Sequence, residues 1–153
     1  MLPQTGRVRV RNPTPLLRRS DGRTEPLPTP VKIPGYSHLA IAVTDLAAAR
    51  DFYCGIFGFE ELRRPDFGFP GMWLQVGALQ LHFIETDEMP TPGKGFPHFA
   101  LYIPTEEYHD TVRSLAEAGL AVAEPQSRDD WGTTVWQTFL SDPAGNVIEL
   151  TNI

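Results

Sequence analysis

The chain has 153 residues, 41% of them apolar and 21% charged, with a formal net charge of −6. That is about one domain's worth of chain with enough apolar surface for a real core, which excludes collagenous, coiled-coil and wholly disordered classes. No apolar run approaches the roughly 20 residues of a membrane span, and the single cysteine, Cys54, excludes an intrachain disulfide and a four-cysteine zinc site, a pattern that suits a reducing cytoplasm.

Charge is distributed unevenly. Residues 1–35 hold seven basic residues (Arg7, Arg9, Arg11, Arg18, Arg19, Arg23, Lys32) against Asp21 and Glu25, a net +5, whereas residues 36–153 hold six basic against seventeen acidic ones, a net −11. The first 35 residues also contain seven of the fifteen prolines and show no helical or alternating apolar period. We expect a mostly extended or disordered arm. A plain linker or an over-long start, a segment packed on a partner subunit, and an organelle transit peptide all fit it, the last weakened by Asp21, Glu25 and the single serine Ser20. The acidic body would repel phosphate, so neither nucleic acid nor a membrane is expected as a partner.

From residue 36 onward the chain repeats itself. His38–Val43 alternates like a half-buried strand, Thr44 or Asp45 offers a helix cap, Leu46–Phe57 has helical spacing and Gly58 stops it. Extended runs follow at Phe59–Phe67, Gly71–Val76 and Leu79–Glu85, separated by turn residues, and Asp87–Gly95 reads as a link. The second half runs the same way: a strand at His98–Ile103, a helix opening at Pro104 and Thr105 and closing at Gly119, then extended runs at Leu120–Pro125, Thr133–Ser141 and Asn146–Thr151. The expected class is α+β, with two βαβββ modules (36–86 and 97–153) in one domain of residues 36–153, forming a cupped, barrel-like mixed sheet with flanking helices.

The period of two along each strand assigns the polar residues to faces. Leu39, Ile41 and Val43 share the helix side, so His38 points the other way; Phe99, Leu101 and Ile103 do the same for His98. Leu79, Leu81 and Phe83 place His82 with Gln80 on the opposite face, and Ile148 and Leu150 place Glu149 likewise. A lone histidine beside an apolar run is more often simply hydrogen-bonded, but a buried glutamate needs a partner for its charge. Three imidazoles and one carboxylate converging from four strands would hold a divalent transition metal (zinc, nickel, cobalt, manganese or iron) better than magnesium or calcium.

The segments His38–Leu46, Phe52–Phe59, His98–Leu101 and Phe139–Leu150 resemble the vicinal oxygen chelate superfamily, which includes glyoxalase, extradiol dioxygenases, epimerases, fosfomycin-resistance thiol transferases and bleomycin-binding proteins. The resemblance covers about residues 35–153. It implies metal ligands at His38, His82, His98 and Glu149, a small-molecule substrate and a homodimer. It further implies a glyoxalase-like lyase or isomerase in which Glu149 is ligand and base and an enediolate of a vicinal-oxygen substrate is stabilised. Position 82 is where the subfamilies part: lyases usually carry a carboxylate there, and this chain carries histidine. If His82 does not bind, His38, His98 and Glu149 form the two-histidine, one-carboxylate set of iron oxygenases, and ring-cleaving dioxygenation is the alternative. A non-catalytic bleomycin-resistance-like binding protein is the third reading.

Trp73, Gln75, Tyr102 and Trp136 are candidates for a substrate pocket, as is Trp131, although strand aromatics are more often core. Arg63, Arg64 and Arg128 could reach an anionic substrate, solvated surface being the commoner role. His109 is expected exposed on the second helix and Cys54 packed. Asp142–Asn146 reads as a turn aligning the strand that bears Glu149.

Overall fold

The structure is a computed structural model describing residues 16–26, 35–89, 97–130 and 132–153. Its contacts divide the chain into Met1–Gly35 and Tyr36–Ile153. In the first unit, β1 (Leu16–Arg18) pairs antiparallel with β2 (Thr24–Pro26). This hairpin is more order than the composition led us to expect. Its cause is a short turn: Gly22 takes a φ of 84°, the Asp21 carboxylate accepts the Arg23 backbone N–H at 3.0 Å, and Arg19 meets Glu25 at 3.0 Å.

The second unit opens with β3 (His38–Val43), α1 (Leu46–Arg50) and a π-helical turn at Asp51–Ile56, followed by β4 (Glu60–Leu62), β5 (Gly71–Val76) and β6 (Leu79–Glu85). Asp45 caps α1 by accepting the N–H groups of Ala47 and Ala48 at 2.8 and 3.0 Å. The single helix expected over Leu46–Phe57 is thus α-helical only in its first half. The wider π turn carries Phe52 and Tyr53, both buried, and Gly58 closes the segment at a φ of 70°. Only Glu60–Leu62 of the expected Phe59–Phe67 strand is paired, because the following residues leave the sheet as a loop.

The second half repeats the pattern with β7 (His98–Tyr102), α2 (Tyr108–Glu117), β8 (Gln126–Asp130), β9 (Thr133–Ser141) and β10 (Val147–Thr151). Helix α2 starts later than expected, since Pro104–Glu107 form a turn in which the Glu107 N–H reaches the Pro104 carbonyl. Leu120–Pro125 is not a strand; Pro125 has no N–H for a ladder, and the pairing with β9 begins one residue later, at Gln126.

Each half makes a four-stranded mixed sheet with the same order, β3-β6-β5-β4 and β7-β10-β9-β8, the first pair parallel and the rest antiparallel. The class is α+β as expected. The sheets are not closed into a barrel, because among the described residues no ladder joins them. The halves meet instead through one core on the helix side, where Val43, Phe52, Tyr53, Leu81 and Phe83 belong to the same buried cluster as Tyr108, Val112, Leu115, Ile148 and Leu150. A polar clasp joins them as well. The Asp142 carboxylate, buried in the turn between β9 and β10, accepts from Ala144 N, Asn146 N, Asn146 Nδ2 and the Tyr53 hydroxyl at 2.8–2.9 Å, and Asn146 Nδ2 also reaches the Ala42 carbonyl at 2.8 Å.

Candidate metal and substrate faces

The helix side of each sheet is spent on the core, and the four candidate metal-binding side chains alternate onto the opposite faces. On the first sheet, β3 and β6 run parallel with Ala40 opposite His82 and His38 opposite Gln80. This register lays the His38 and His82 rings flat against each other, centroids 4.2 Å apart and planes 12° off parallel. Trp73 of β5, directly opposite His82, continues the stack at 4.3 Å and 9°. Ser37 Oγ lies 3.1 Å from His38 Nδ1, which leaves Nε2 as the nitrogen facing outward. His82 Nε2 is 2.9 Å from Gln80 Oε1, so Gln80 is a neighbour that sequence reasoning placed on this face without giving it a role. Burial, then the charge-sensitive neighbourhood of His38 and Arg64, pushes the His82 pKa below its usual 6.5 and favours the neutral ring that binds metals.

On the second sheet β7 and β10 are parallel with Val147 opposite His98 and Ala100 opposite Glu149, a register equivalent to that of the first sheet. His98 Nε2 stands 2.9 Å from Glu149 Oε2, with the two side chains 31% and 15% exposed. The imidazole gives the partly buried carboxylate a hydrogen-bond partner. Phe139, opposite Glu149 on β9, presents its edge to His98 at 5.6 Å. The Arg128 guanidinium donates to Gln137 on the same face. Behind the sheet, burial and then the Glu149 charge push the Tyr108 phenol up to about 12, so it stays protonated while its hydroxyl donates to the Leu150 carbonyl at 3.3 Å.

The four candidate ligands therefore occur as two pairs, His38 with His82 and His98 with Glu149. Among the described residues no three or more His, Cys, Asp or Glu side chains stand close enough to share one ion. By donor chemistry the His38–His82 pair offers imidazole nitrogen and the His98–Glu149 pair nitrogen and carboxylate oxygen, the donor types that transition metals take. Of the pocket candidates, Trp73 lies in the stack, and Tyr102, 65% exposed, is on the His98 face. Gln75 is tied to its own hairpin, donating to the Gly77 and Leu79 carbonyls at 2.8 and 2.9 Å. Trp136 faces the other way, 4.4 Å from His109 and 6.3 Å from Tyr108 on α2. One step along β9 exchanges faces, so Gln137 and Phe139 hold the positions for which Trp136 was a candidate. Trp131 lies outside the described residues. His109 is exposed apart from that aromatic contact, and Cys54 is half-buried, its thiol pushed up by burial.

Two open mixed sheets with duplicated topology, their helices on one side, define the vicinal-oxygen-chelate class of protein. The family model of the Glyoxalase/Bleomycin resistance protein/Dioxygenase superfamily matches residues 35–150, and the chain belongs to that superfamily. A probable lactoylglutathione lyase of Synechocystis sp. is 32% identical over 124 residues, covering 74% of this chain and 91% of the relative. Among solved structures, a glyoxalase family protein of Bacillus anthracis superposes with a TM-score of 0.67 at 27% identity, covering 80% of this chain and 98% of that one. The fosfomycin resistance protein FosX of Listeria monocytogenes shares the fold with a TM-score of 0.65 at 21% identity, covering 78% and 93%. Among the described residues no helix is long and apolar enough to cross a membrane.

Proposed function

We propose that the protein is a metal-dependent lyase or isomerase of the glyoxalase type, acting on a small substrate with oxygens on adjacent carbons. The observation that carries this reading is the His98–Glu149 pair at 2.9 Å, set in the same register as His38–His82 of the other sheet. His38, His82, His98 and Glu149 would hold a divalent transition metal, which when bound withdraws charge from the substrate's carbonyl. Glu149 takes the proton from the adjacent carbon and returns it to its neighbour, His98 meanwhile holding the carboxylate in place. Ser37 keeps His38 oriented, and Phe139 keeps water from one side of His98. The family resemblance and the name of the Synechocystis relative support the lyase chemistry.

Because one chain presents the four ligands as two separate pairs, we assign the complete site to a homodimer in which the first sheet of one subunit faces the second sheet of its partner. The test uses His38→Ala and Glu149→Gln, titrated calorimetrically with zinc, nickel, cobalt, manganese and iron(II). Each variant alone is expected to lose at least about a hundredfold in affinity. Co-expressed, they should regain roughly one quarter of the wild-type sites, since half of randomly paired dimers carry one intact site each. No recovery would place the whole site within one chain. A wild-type protein that takes up none of these metals would leave the binding-protein reading.

A second reading rests on the 2.9 Å contact between His82 Nε2 and Gln80, which occupies the nitrogen of the fourth ligand. In it His38, His98 and Glu149 alone hold iron, and the reaction is dioxygenation of a catechol-like ring. A His82→Ala variant retaining iron affinity and oxygen uptake on catechols would select it.

A further inference from the structure

Arg50 and Arg113 of the acidic body are each matched with a carboxylate, Arg50 with Glu61 at 2.7 Å and Arg113 with Asp110 at 2.9 Å. Arg64 is not: half-buried, it has no carboxylate within 4.0 Å among the described residues, in a body carrying seventeen acidic residues. Its guanidinium is held by other means. The Phe67 and Phe69 rings lie 4.9 and 4.8 Å from Cζ, and a Cβ on Gly71 would come within 3.0 Å of Nε and 3.1 Å of Cζ, so the cation lies across a stretch of strand that has no side chain. The loop is shaped for this arrangement. The Asp66 carboxylate accepts the Gly68 N–H at 2.8 Å, and Gly68 takes a φ of 76°, turning both phenylalanines to one side. Among the described residues the guanidinium makes one donation, a long one from Nη1 to the Pro65 carbonyl at 3.4 Å.

From this cation a row of rings runs to the histidines. Phe67 is 5.8 Å from Trp73, Trp73 is stacked on His82 at 4.3 Å, and His82 on His38 at 4.2 Å. Phe67 and Phe69 remain 51% and 47% exposed, an apolar cost with no structural return on the core side. We propose that Arg64, Phe67, Phe69 and Trp73 form a substrate subsite, and that the substrates are carboxylates with a flat apolar body, the carboxylate on Arg64 and the reacting oxygens toward His82. A planar guanidinium backed by rings receives a carboxylate edge-on through two parallel N–H bonds, while the flat body lies along the ring row. This rests on the open face of the first sheet being the substrate face, as in the function proposed above.

The test is calorimetric titration of the metal-free protein with 2-naphthoate and with the neutral 2-naphthalenemethanol. The wild type is expected to bind naphthoate saturably and at least tenfold more tightly than the alcohol. Arg64→Gln should weaken naphthoate at least tenfold, about 1.4 kcal/mol, and leave the alcohol unchanged. Arg64→Lys should recover only part of the loss, because a point charge lacks the fork. Trp73→Ala should weaken both ligands alike. No saturable binding, equal affinities for the two ligands, or an Arg64→Gln variant that binds naphthoate as the wild type does would each overturn the proposal. A parallel zinc titration separates the two readings. Absence of zinc binding in the wild type counts against the metal site and leaves the naphthoate result standing, whereas Arg64→Gln losing zinc and both ligands together would reassign Arg64 to loop packing and overturn the subsite.

Discussion

The clasp between Tyr53 and Asp142 gives the most exacting stability prediction. Tyr53 is 0% exposed and Asp142 5%, and the hydroxyl donates to the carboxylate at 2.9 Å across 89 residues of sequence. Burial, and then the Asp142 charge, push the Tyr53 phenol far above its usual range, so it is a fixed donor at every working pH. Tyr53→Phe keeps the ring and removes one bond to a charged acceptor, which costs about 1.5–3 kcal/mol. Asp142→Asn leaves one oxygen for the N–H groups of Ala144 and Asn146 but sets an amide against the two donors on Oδ2, Tyr53 and Asn146 Nδ2. Its cost should be larger, about 3–5 kcal/mol. Urea unfolding with an unchanged m-value measures both, and a melting drop of about 6–12 °C should accompany Tyr53→Phe. In the double variant the Tyr53 substitution should add little, giving a coupling energy of about 1–3 kcal/mol. A Tyr53→Phe protein within 0.5 kcal/mol of wild type, or strictly additive losses, would refute the clasp. The same turn begins β10, so the Asp142 variant should also loosen Glu149 and weaken metal binding.

Two further outcomes follow from the faces. Because the His82 pKa is lowered by burial and by His38 and Arg64, the folded protein resists protonating it. Stability is therefore intact above pH 6.5 and falls as acid protonates the unfolded chain first. An NMR titration should place the His82 midpoint below 6.5 and move it upward in Arg64→Gln; a midpoint at or above 6.5 in the wild type would contradict this. Trp136→Phe, which touches Tyr108 and His109 rather than the open face, should cost about 1–2 kcal/mol in urea while metal affinity stays within twofold. A metal-binding defect without loss of stability would return Trp136 to the site.

Much of this architecture is legible in residue order alone. The alternation of Leu39, Ile41 and Val43 against His38, and of Ile148 and Leu150 against Glu149, is a local property of the strand, so faces could be assigned without any partner. The repeat of helix and strand signals gave the module pattern, and Asp45 and the Asp142–Asn146 turn are recognisable from side chains that bond their own neighbouring backbone. Where local signals compete, the reading slipped. A helix-spaced segment relaxed into a π turn at Asp51–Ile56 because Phe52 and Tyr53 serve a core assembled from both halves, and a strand assignment at Leu120–Pro125 gave way at a proline.

What only the tertiary structure decided concerns distances between segments far apart in the chain. Period two places His38, His82, His98 and Glu149 on the faces away from the helices, but it says nothing about how two sheets sit. That is settled by the shared core and the Tyr53–Asp142 clasp, and the four side chains stand as two pairs. The same holds for Arg64: its charge is visible in the sequence, yet the two phenylalanines against it, the bare glycine across which it lies and the ring row to His82 arise from loop and sheet packing. Face is fixed by a repeat of two residues, whereas convergence is fixed by burial and hydrogen bonds between elements tens of residues apart.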